Sequence, residues 1–431
     1  MNETLLLFAL FLVLALLGVP VAFALSLAGS IGICALLGFG KLVATLPYIF
    51  YGSLNSFTLI AIPLYVLMGN IIIRGKLSEE MYAVFNGLFG HLPGGLAIIT
   101  CLFCGVFAAI SGSSVATAAT VGMLVLPEMI RLGYERKFVY GLIAGSGTLG
   151  ILIPPSLNFL LYGALTEVSV GKLFIAGIIP GIVLCSMFLA YGLIFSFAKK
   201  YRFGGEQIGW KDKLVLLKRS FWSFFVIPLI FIGIYKGIFT PTEAAGMGVV
   251  YALFVCLIKK TLPLSEFSRA ILDSLKTSCM ILMIVVGAAI FGYIVTVLQF
   301  PQQIVKLIVE HNVTQFQFLL YTFLLILFLG CFVECVTIMV LLTPILYPII
   351  LNLRIDPIWF GVFLTVNMEL ALITPPVGLN LFVIQSISPE SKLEDIYRGI
   401  WPFILIMIGF LAILYFYPEM ATYLPAKMKG G

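Results

Sequence analysis

GTLGILIPPS at 147–156 and ITPPVGLNLFV at 373–383 each place a proline pair inside an otherwise apolar stretch, 221 residues apart. The same offset carries Pro20 onto Pro241, Pro127 onto Pro348, and Ser53-Leu54 onto Ser274-Leu275. With 21 prolines in 431 residues, chance supplies about half a matched pair at one offset, so four matched prolines mark an internal repeat.

Outward from the proline pairs, the apolar blocks keep the same order. Residues 3–36 are too long for one span at about 1.5 Å per residue, and Gly18-Val19-Pro20 divides them in two. A third span covers about 54–73, and SEEMYAVFNGLFG (78–90) reads as an interfacial amphipathic segment. An apolar block at about 93–132 is broken at Ser111-Gly112-Ser113-Ser114; a span at 137–165 is broken by the first proline pair; 172–198 closes the half. The second half reads 221–236, 241–258, 275–298, a surface segment 299–311, a block at 316–352 broken near 332–337, a span at 358–385 broken at 372–378, and 399–417.

Hydrophobic residues make up 61% and charged ones 10%, against about 45–50% and about 25% in soluble domains. This excludes a disordered chain, a disulfide scaffold and a nucleic-acid module, and leaves the lipid bilayer as solvent. The chain reads as an all-α polytopic membrane protein with about ten spans plus two re-entrant hairpins. The first repeat occupies 1–210 and the second 211–431. With re-entrant hairpins each half crosses five times, so the repeats are inverted. Eighteen of the 25 Lys and Arg, Arg202 among them, then fall on one side. The other side holds Lys41, Lys172, Lys236, Lys306, Arg354, Lys427 and Lys429. By the positive-inside rule the first side is cytoplasmic and both termini face outward. Ordinary double crossings would leave that parity unchanged. MNETLLLFAL carries no basic residue and reads as a retained first span rather than a secretory signal.

Backbone at bilayer depth must be hydrogen-bonded, buried in protein or facing water, and paired breaks in inverted halves point to a midplane substrate and ion site. SGSSVATAAT (111–120) puts five hydroxyls and a glycine into an apolar block. A returning helix beginning at Ser113 or Ser114 would aim its positive dipole end at an anion. The bland alternative is a small-residue packing seam. Pro154-Pro155 and Pro375-Pro376 read as first-turn residues of restarting half-helices, with Thr374 as an N-cap. Gly145, Gly147 and Gly150 precede the first restart, where carbonyls could hold a cation; a simple proline kink is the alternative. Glu334 and Glu369, the latter beside Asn367, lie at depths where a charge costs about 2.5–3.5 kcal/mol, so each must face the interior or water. They read as cation ligands, proton carriers or structural staples.

Enzyme readings find little support. His91 and His311 lie in or beside surface segments, no GxxxxGK[ST] is present, and Cys101-x-x-Cys104 lacks a second ligand pair. Transport would therefore draw on an ion gradient.

Over nearly its whole length the chain resembles the large membrane subunit of the tripartite ATP-independent periplasmic (TRAP) transporters. The passages that carry the resemblance are SLNSFTLIAIPLYVLMG (53–69), GVFAAISGSSVATAATVG (105–122), GTLGILIPPS, FTPTEAAG (239–246) and ITPPVGLNLFV. It implies Na⁺-coupled import of a small carboxylate, of the sialic acid or C4-dicarboxylate class with a lean to sialic acid, without other cofactors. A periplasmic binding protein would deliver the substrate, and a separate small four-helix membrane subunit would complete the complex in the bacterial inner membrane. It further implies an elevator, in which both hairpins and both broken spans slide against the remaining helices. Substrate-binding candidates are Ser111, Gly112, Ser113, Ser114, Pro154, Pro155, Asn158, Thr374 and Asn380. Sodium candidates are Ser113, Gly145, Gly147, Thr148, Gly150, Glu334, Thr337, Asn367, Glu369 and Thr374. The second tip, FVECVT, departs from the SGSS pattern, so backbone carbonyls, Glu334, Cys335 and Thr337 all stay open as its ligands. A symporter or antiporter working without a binding protein, and a passive channel, are the alternatives.

Overall fold

A computed structural model describes residues 2–201 and 209–428; Arg202 and Lys429 of the charge count lie outside the described residues. The described residues form helices and no strand. The first half runs α1 (Asn2–Leu16), α2 (Val21–Leu37), α3 (Phe39–Leu54), a 3-10 turn (Phe57–Ile60), α4 (Ala61–Arg74) and α5 (Leu77–Phe89). It continues with the hairpin α6 (Gly95–Ser111) and α7 (Ser114–Arg131), the broken span α8 (Arg136–Gly147), α9 (Leu149–Leu152) and α10 (Leu157–Thr166), and α11 (Val170–Ala198). The second half runs α12 (Trp210–Tyr235), α13 (Pro241–Lys259), α14 (Leu264–Val297), α15 (Phe300–Glu310), the hairpin α16 (Gln315–Leu329) and α17 (Cys335–Asn352). The broken span α18 (Pro357–Ile373) and α19 (Leu379–Ile387) follows, then α20 (Leu393–Phe416) and α21 (Glu419–Lys427). Nine helical segments among the described residues are long and apolar enough to cross a membrane.

The halves differ most at one joint. Where α14 is a single helix of 34 residues, the first half is cut into α3, the 3-10 turn and α4. The cut falls at Asn55-Ser56, residue types that compete for backbone hydrogen bonds and terminate helices; the second half has Lys276-Thr277 there. The sequence reading, with spans at 54–73 and 275–298, missed α3 and the first turns of α14. It also began α12 eleven residues late and missed α21.

The proline pairs and the Thr374 cap depart from the sequence expectation. Pro154-Pro155 and Pro375-Pro376 lie in the connectors, each pair joined by a cis bond, and not in a first helical turn. Ser156 caps α10, accepting from the Phe159 amide, and Gly378 precedes α19. Thr374 ends α18 instead of starting α19; its hydroxyl donates back to the Leu370 carbonyl at 2.6 Å.

Packing divides the helices by neighbourhood. α14 packs on α2, α3 and α4, and α13 on α4 and α12. Two ion clusters fasten this group at one membrane edge: Arg74 with Glu266 and Asp273, and Lys259 with Glu80 and Ser223. α8 packs on α20 so closely that a Cβ on Gly399 would stand 2.0 Å from the Lys137 carbonyl oxygen. The most buried helices are α6, the first broken span α8–α10, and α18, with α6 and α18 buried along nearly their full length.

Candidate functional site

The two hairpin tips meet around one small cavity of about 80 Å³. Gly112, Ser113 and Ser114 line it from the first tip, Asn158 from α10, and Glu334 and Cys335 from the second tip. Both halves therefore build a single site, and both tips present the N-terminus of a long helix to it.

The first tip is held from within. Gly112 takes φ +60°, the left-handed turn that lets α6 reverse into α7, and a side chain there would meet the Pro155 carbonyl oxygen at 2.8 Å. The Ser111 hydroxyl bonds the Thr117 hydroxyl at 2.7 Å, and Thr117 donates to the Ser113 carbonyl at 2.8 Å. Ser113 is the N-cap of α7 and accepts from the Ala116 amide at 3.4 Å. Gly150 brings α9 against this tip: a Cβ there would lie 2.5 Å from the Ser113 carbonyl oxygen. Gly145 and Gly147 sit inside α8, and the Gly145 carbonyl accepts from Thr148 through both its amide and, at 2.7 Å, its hydroxyl. The expected unwinding thus starts at Ile153, beyond all three glycines, which serve close packing.

The two halves exchange asparagines. Asn380 of α19, fully buried, donates to the Ser114 hydroxyl at 2.5 Å and to the Ala144 carbonyl at 3.4 Å. Asn158 of α10 reaches the other way, toward Met368 Sδ in α18 at 3.8 Å. Pro154 and Pro155 stand behind the first tip without donating any group to it.

The second tip is assembled differently. Glu334 occupies the N-cap position of α17, the place Ser113 holds 221 residues earlier, yet its carboxylate makes no capping bond. Thr337 is fully buried with no partner for its hydroxyl. In α18, the Asn367 amide donates to the Phe363 carbonyl at 3.0 Å while its own oxygen has no partner. Glu369 is fully buried and neither carboxyl oxygen has a hydrogen bond, although α18 packs on α9. Two positions apart, Asn367 and Glu369 leave α18 about 200° from one another, so they do not converge. The Cys335 thiol donates to the Met368 carbonyl at 3.3 Å. Thr117 and Met368 are the participants that the sequence reading did not single out. Thr117, four residues after Ser113 in a hydroxyl-rich run, carried a usable signal; Met368 carried none.

The family profile described as "Tripartite ATP-independent periplasmic transporter, DctM component" matches residues 8–420. The chain is 38% identical over 384 residues to the C4-dicarboxylate TRAP transporter large permease protein DctM of Pseudomonas aeruginosa, covering 89% of this chain and 90% of that one. It is 32% identical over 380 residues to the sialic acid TRAP transporter large permease protein SiaM of Vibrio cholerae, covering 88% of each. It is 35% identical over 421 residues to the isethionate TRAP transporter permease protein DctMQ of Oleidesulfovibrio alaskensis, covering 97% of this chain and 64% of that protein. The fold is similar to that of the Alcanivorax borkumensis YdaH transporter, with a TM-score of 0.61 at 14% identity over 89% of each chain.

Proposed function

Since the chain belongs to the DctM-component family of the tripartite ATP-independent periplasmic transporters, and is thus a large permease and not an enzyme, we propose that it imports a small carboxylate coupled to Na⁺. Membership brings with it a small membrane subunit, a periplasmic binding protein and an inner-membrane location. The observation that carries the reading is the shared cavity at the two hairpin tips. The substrate carboxylate sits at the N-terminal end of α7, where Ser113, Ser114 and Asn158 offer donors and the helix dipole is positive. Of the two substrate classes, C4-dicarboxylates come ahead of sialic acid, because the C4-dicarboxylate relative is the more similar one.

Sodium fits the second half. The unpartnered oxygens of Thr337, Asn367, Glu369 and Asn380 are hard acceptors at depths where an unsatisfied polar atom is costly. Asn367 and Glu369 serve different positions because they point apart. Glu334 faces the tip cavity and balances a cation beside the substrate.

Movement follows an elevator with inverted repeats. Close backbone contacts tie α20 to α8, and α11 to the first break, where a Cβ on Gly177 would lie 2.6 Å from the Leu152 carbonyl oxygen. We therefore place α6–α11 and α16–α20 in the moving body, which adds α11 and α20 to the hairpins and broken spans. α17 packs on the scaffold helices α14 and α15, while α7 packs on α6, α8, α9 and α19 of its own body. With the basic side inward, this contact pattern supports an inward-facing arrangement.

Reconstituted uptake tests the reading. Proteoliposomes with this chain, the small subunit and the binding protein should accumulate labelled succinate. Omission of either partner should abolish accumulation. Flux without either of them would favour a channel and sink the proposal.

A further inference from the structure

An apolar groove of about 560 Å³ separates α6 and α11 from α12 and shares no lining residue with the cavity at the hairpin tips. Val106, Ala109, Ile153, Ile182, Ile227 and Phe231 are among its walls, and Ile182 is 59% exposed at the rim. The polar groups of the lining are already used. The Ser186 hydroxyl donates to the Ile182 carbonyl at 2.7 Å, and the Cys185 thiol to the Cys101 carbonyl at 3.5 Å. What remains is a surface for hydrocarbon.

The outer ends of the same helices carry charge. A Cβ on Gly171 would stand 3.4 Å from Met428 Cε and 3.6 Å from Ile234 Cγ2. Lys172 of α11, Lys236 after α12 and Lys427 of α21 are therefore gathered at one edge. They are three of the seven basic residues on the side that is otherwise poor in them. No carboxylate lies within 4.0 Å of any of the three among the described residues. Lys427 touches the hydroxyl and ring of Tyr423, which leave its charge uncompensated. At about 1.5 Å per residue, Phe231 and Ile227 lie ~8 and ~14 Å below Lys236 along α12. Ile178 and Ser186 lie ~9 and ~21 Å below Lys172 along α11. One leaflet's hydrocarbon is about 15 Å deep, so the groove covers the depth an acyl chain reaches from a phosphate at the lysines.

We propose that the groove and the three lysines form a site for one anionic phospholipid of the outer leaflet. Its phosphate sits among Lys172, Lys236 and Lys427, and one acyl chain lies between α11 and α12. The leaflet and the consequence rest on the transporter reading above. There, Lys172 rides with the moving body, as does Lys427 on α21, which packs on α11 and α18 of that body, and Lys236 belongs to the scaffold, so the lipid ties the two together.

Native mass spectrometry of the delipidated full chain, offered dioleoylphosphatidylglycerol or dioleoylphosphatidylcholine, tests this. One phosphatidylglycerol should survive activation that strips phosphatidylcholine. The triple variant K172Q/K236Q/K427Q should lose that retention, and K172R/K236R/K427R should keep it. Gly105→Leu should lose it with the lysines intact, because a Cβ there already stands 3.5 Å from Cys185 Sγ and Ile153 Cδ1 in the groove. Melting by circular dichroism checks each fold, and Ile182→Trp at the rim replaces Gly105→Leu if the latter does not fold. Equal retention of the two lipids, or undiminished retention in the glutamine variant, overturns the proposal. So does a glutamine variant that keeps the lipid but no longer captures the purified binding protein, which would make the patch a protein dock. Uptake is scored separately: its absence defeats the transporter reading and leaves the lipid result standing.

Discussion

At the scale of single residues the weight falls on buried oxygens without partners. Glu369 is the clearest, since both its oxygens are unbonded at full burial. If it faces a bound cation, Glu369→Gln keeps the shape and removes the charge. Half-saturating Na⁺ for uptake should then rise about tenfold, or ~1.4 kcal/mol. An unchanged Na⁺ dependence would make the carboxyl a protonated staple between α18 and α9. Asn380→Ala removes the bond to Ser114 and should weaken substrate half-saturation about fivefold, near the ~1 kcal/mol of one buried hydrogen bond. The Na⁺ dependence of that variant should move less than its substrate dependence. The tip serines, the proline pairs and both acids were visible in the sequence because polar residues stand out in a sheath that is 61% hydrophobic. The roles of the glycines were not. Gly145, Gly147 and Gly150 look alike as letters, and only the approach of Phe403, Ala118 and Ser113 shows that they make room for neighbours.

At the scale of elements, stability depends on a few close crossings and edge clusters. Gly399→Ala would force its Cβ into the Lys137 carbonyl. We expect a loss of ~1–3 kcal/mol, the usual cost of overpacking, seen as a lower melting temperature in detergent. The Arg74 cluster answers to pH. The Arg74 hydrogen bond holds the Glu266 carboxyl below the ordinary carboxylate range. Its contribution is thus complete at neutral pH and is lost as pH falls through that lowered value. Hydrogen exchange of the last turn of α4 should quicken on acidification, and Glu266→Gln should show the quicker exchange already at neutral pH. Because the cluster is partly exposed, the effect should be modest. Element order could be read from the proline offset, but the break at Asn55-Ser56 could not. α3 holds Pro47 between Gly40 and Gly52, and the corresponding LSEFSRAILDSL (264–275) of α14 is half polar, so neither reads as a span, and the residues at 55–56 and 276–277 decide whether each continues into the next one. Thr374 misled for a related reason. A threonine before a proline pair has the chemistry of an N-cap, yet here its hydroxyl turns back to close the preceding helix.

At the scale of the whole molecule, the account requires one body to move past another with the site on board. Gly69 of α4 lies at that boundary, where a Cβ would meet the Ile110 carbonyl oxygen at 3.4 Å and Ser111 Cα at 3.6 Å. A methyl group fits there, so Gly69→Ala should transport nearly normally. Gly69→Leu should fold and bind substrate but lose most uptake, which separates a sliding boundary from a fixed interface. The charge asymmetry was legible from sequence, whereas the proposal that α11 and α20 join the moving body needed the packing. The measurement that meets the central claim most directly is uptake by proteoliposomes holding all three components under an imposed inward Na⁺ gradient. The account predicts accumulation of the carboxylate above its external concentration, collapse of that accumulation when a Na⁺ ionophore dissipates the gradient, and none with K⁺ in place of Na⁺. Accumulation that persists after the Na⁺ gradient is gone would contradict it.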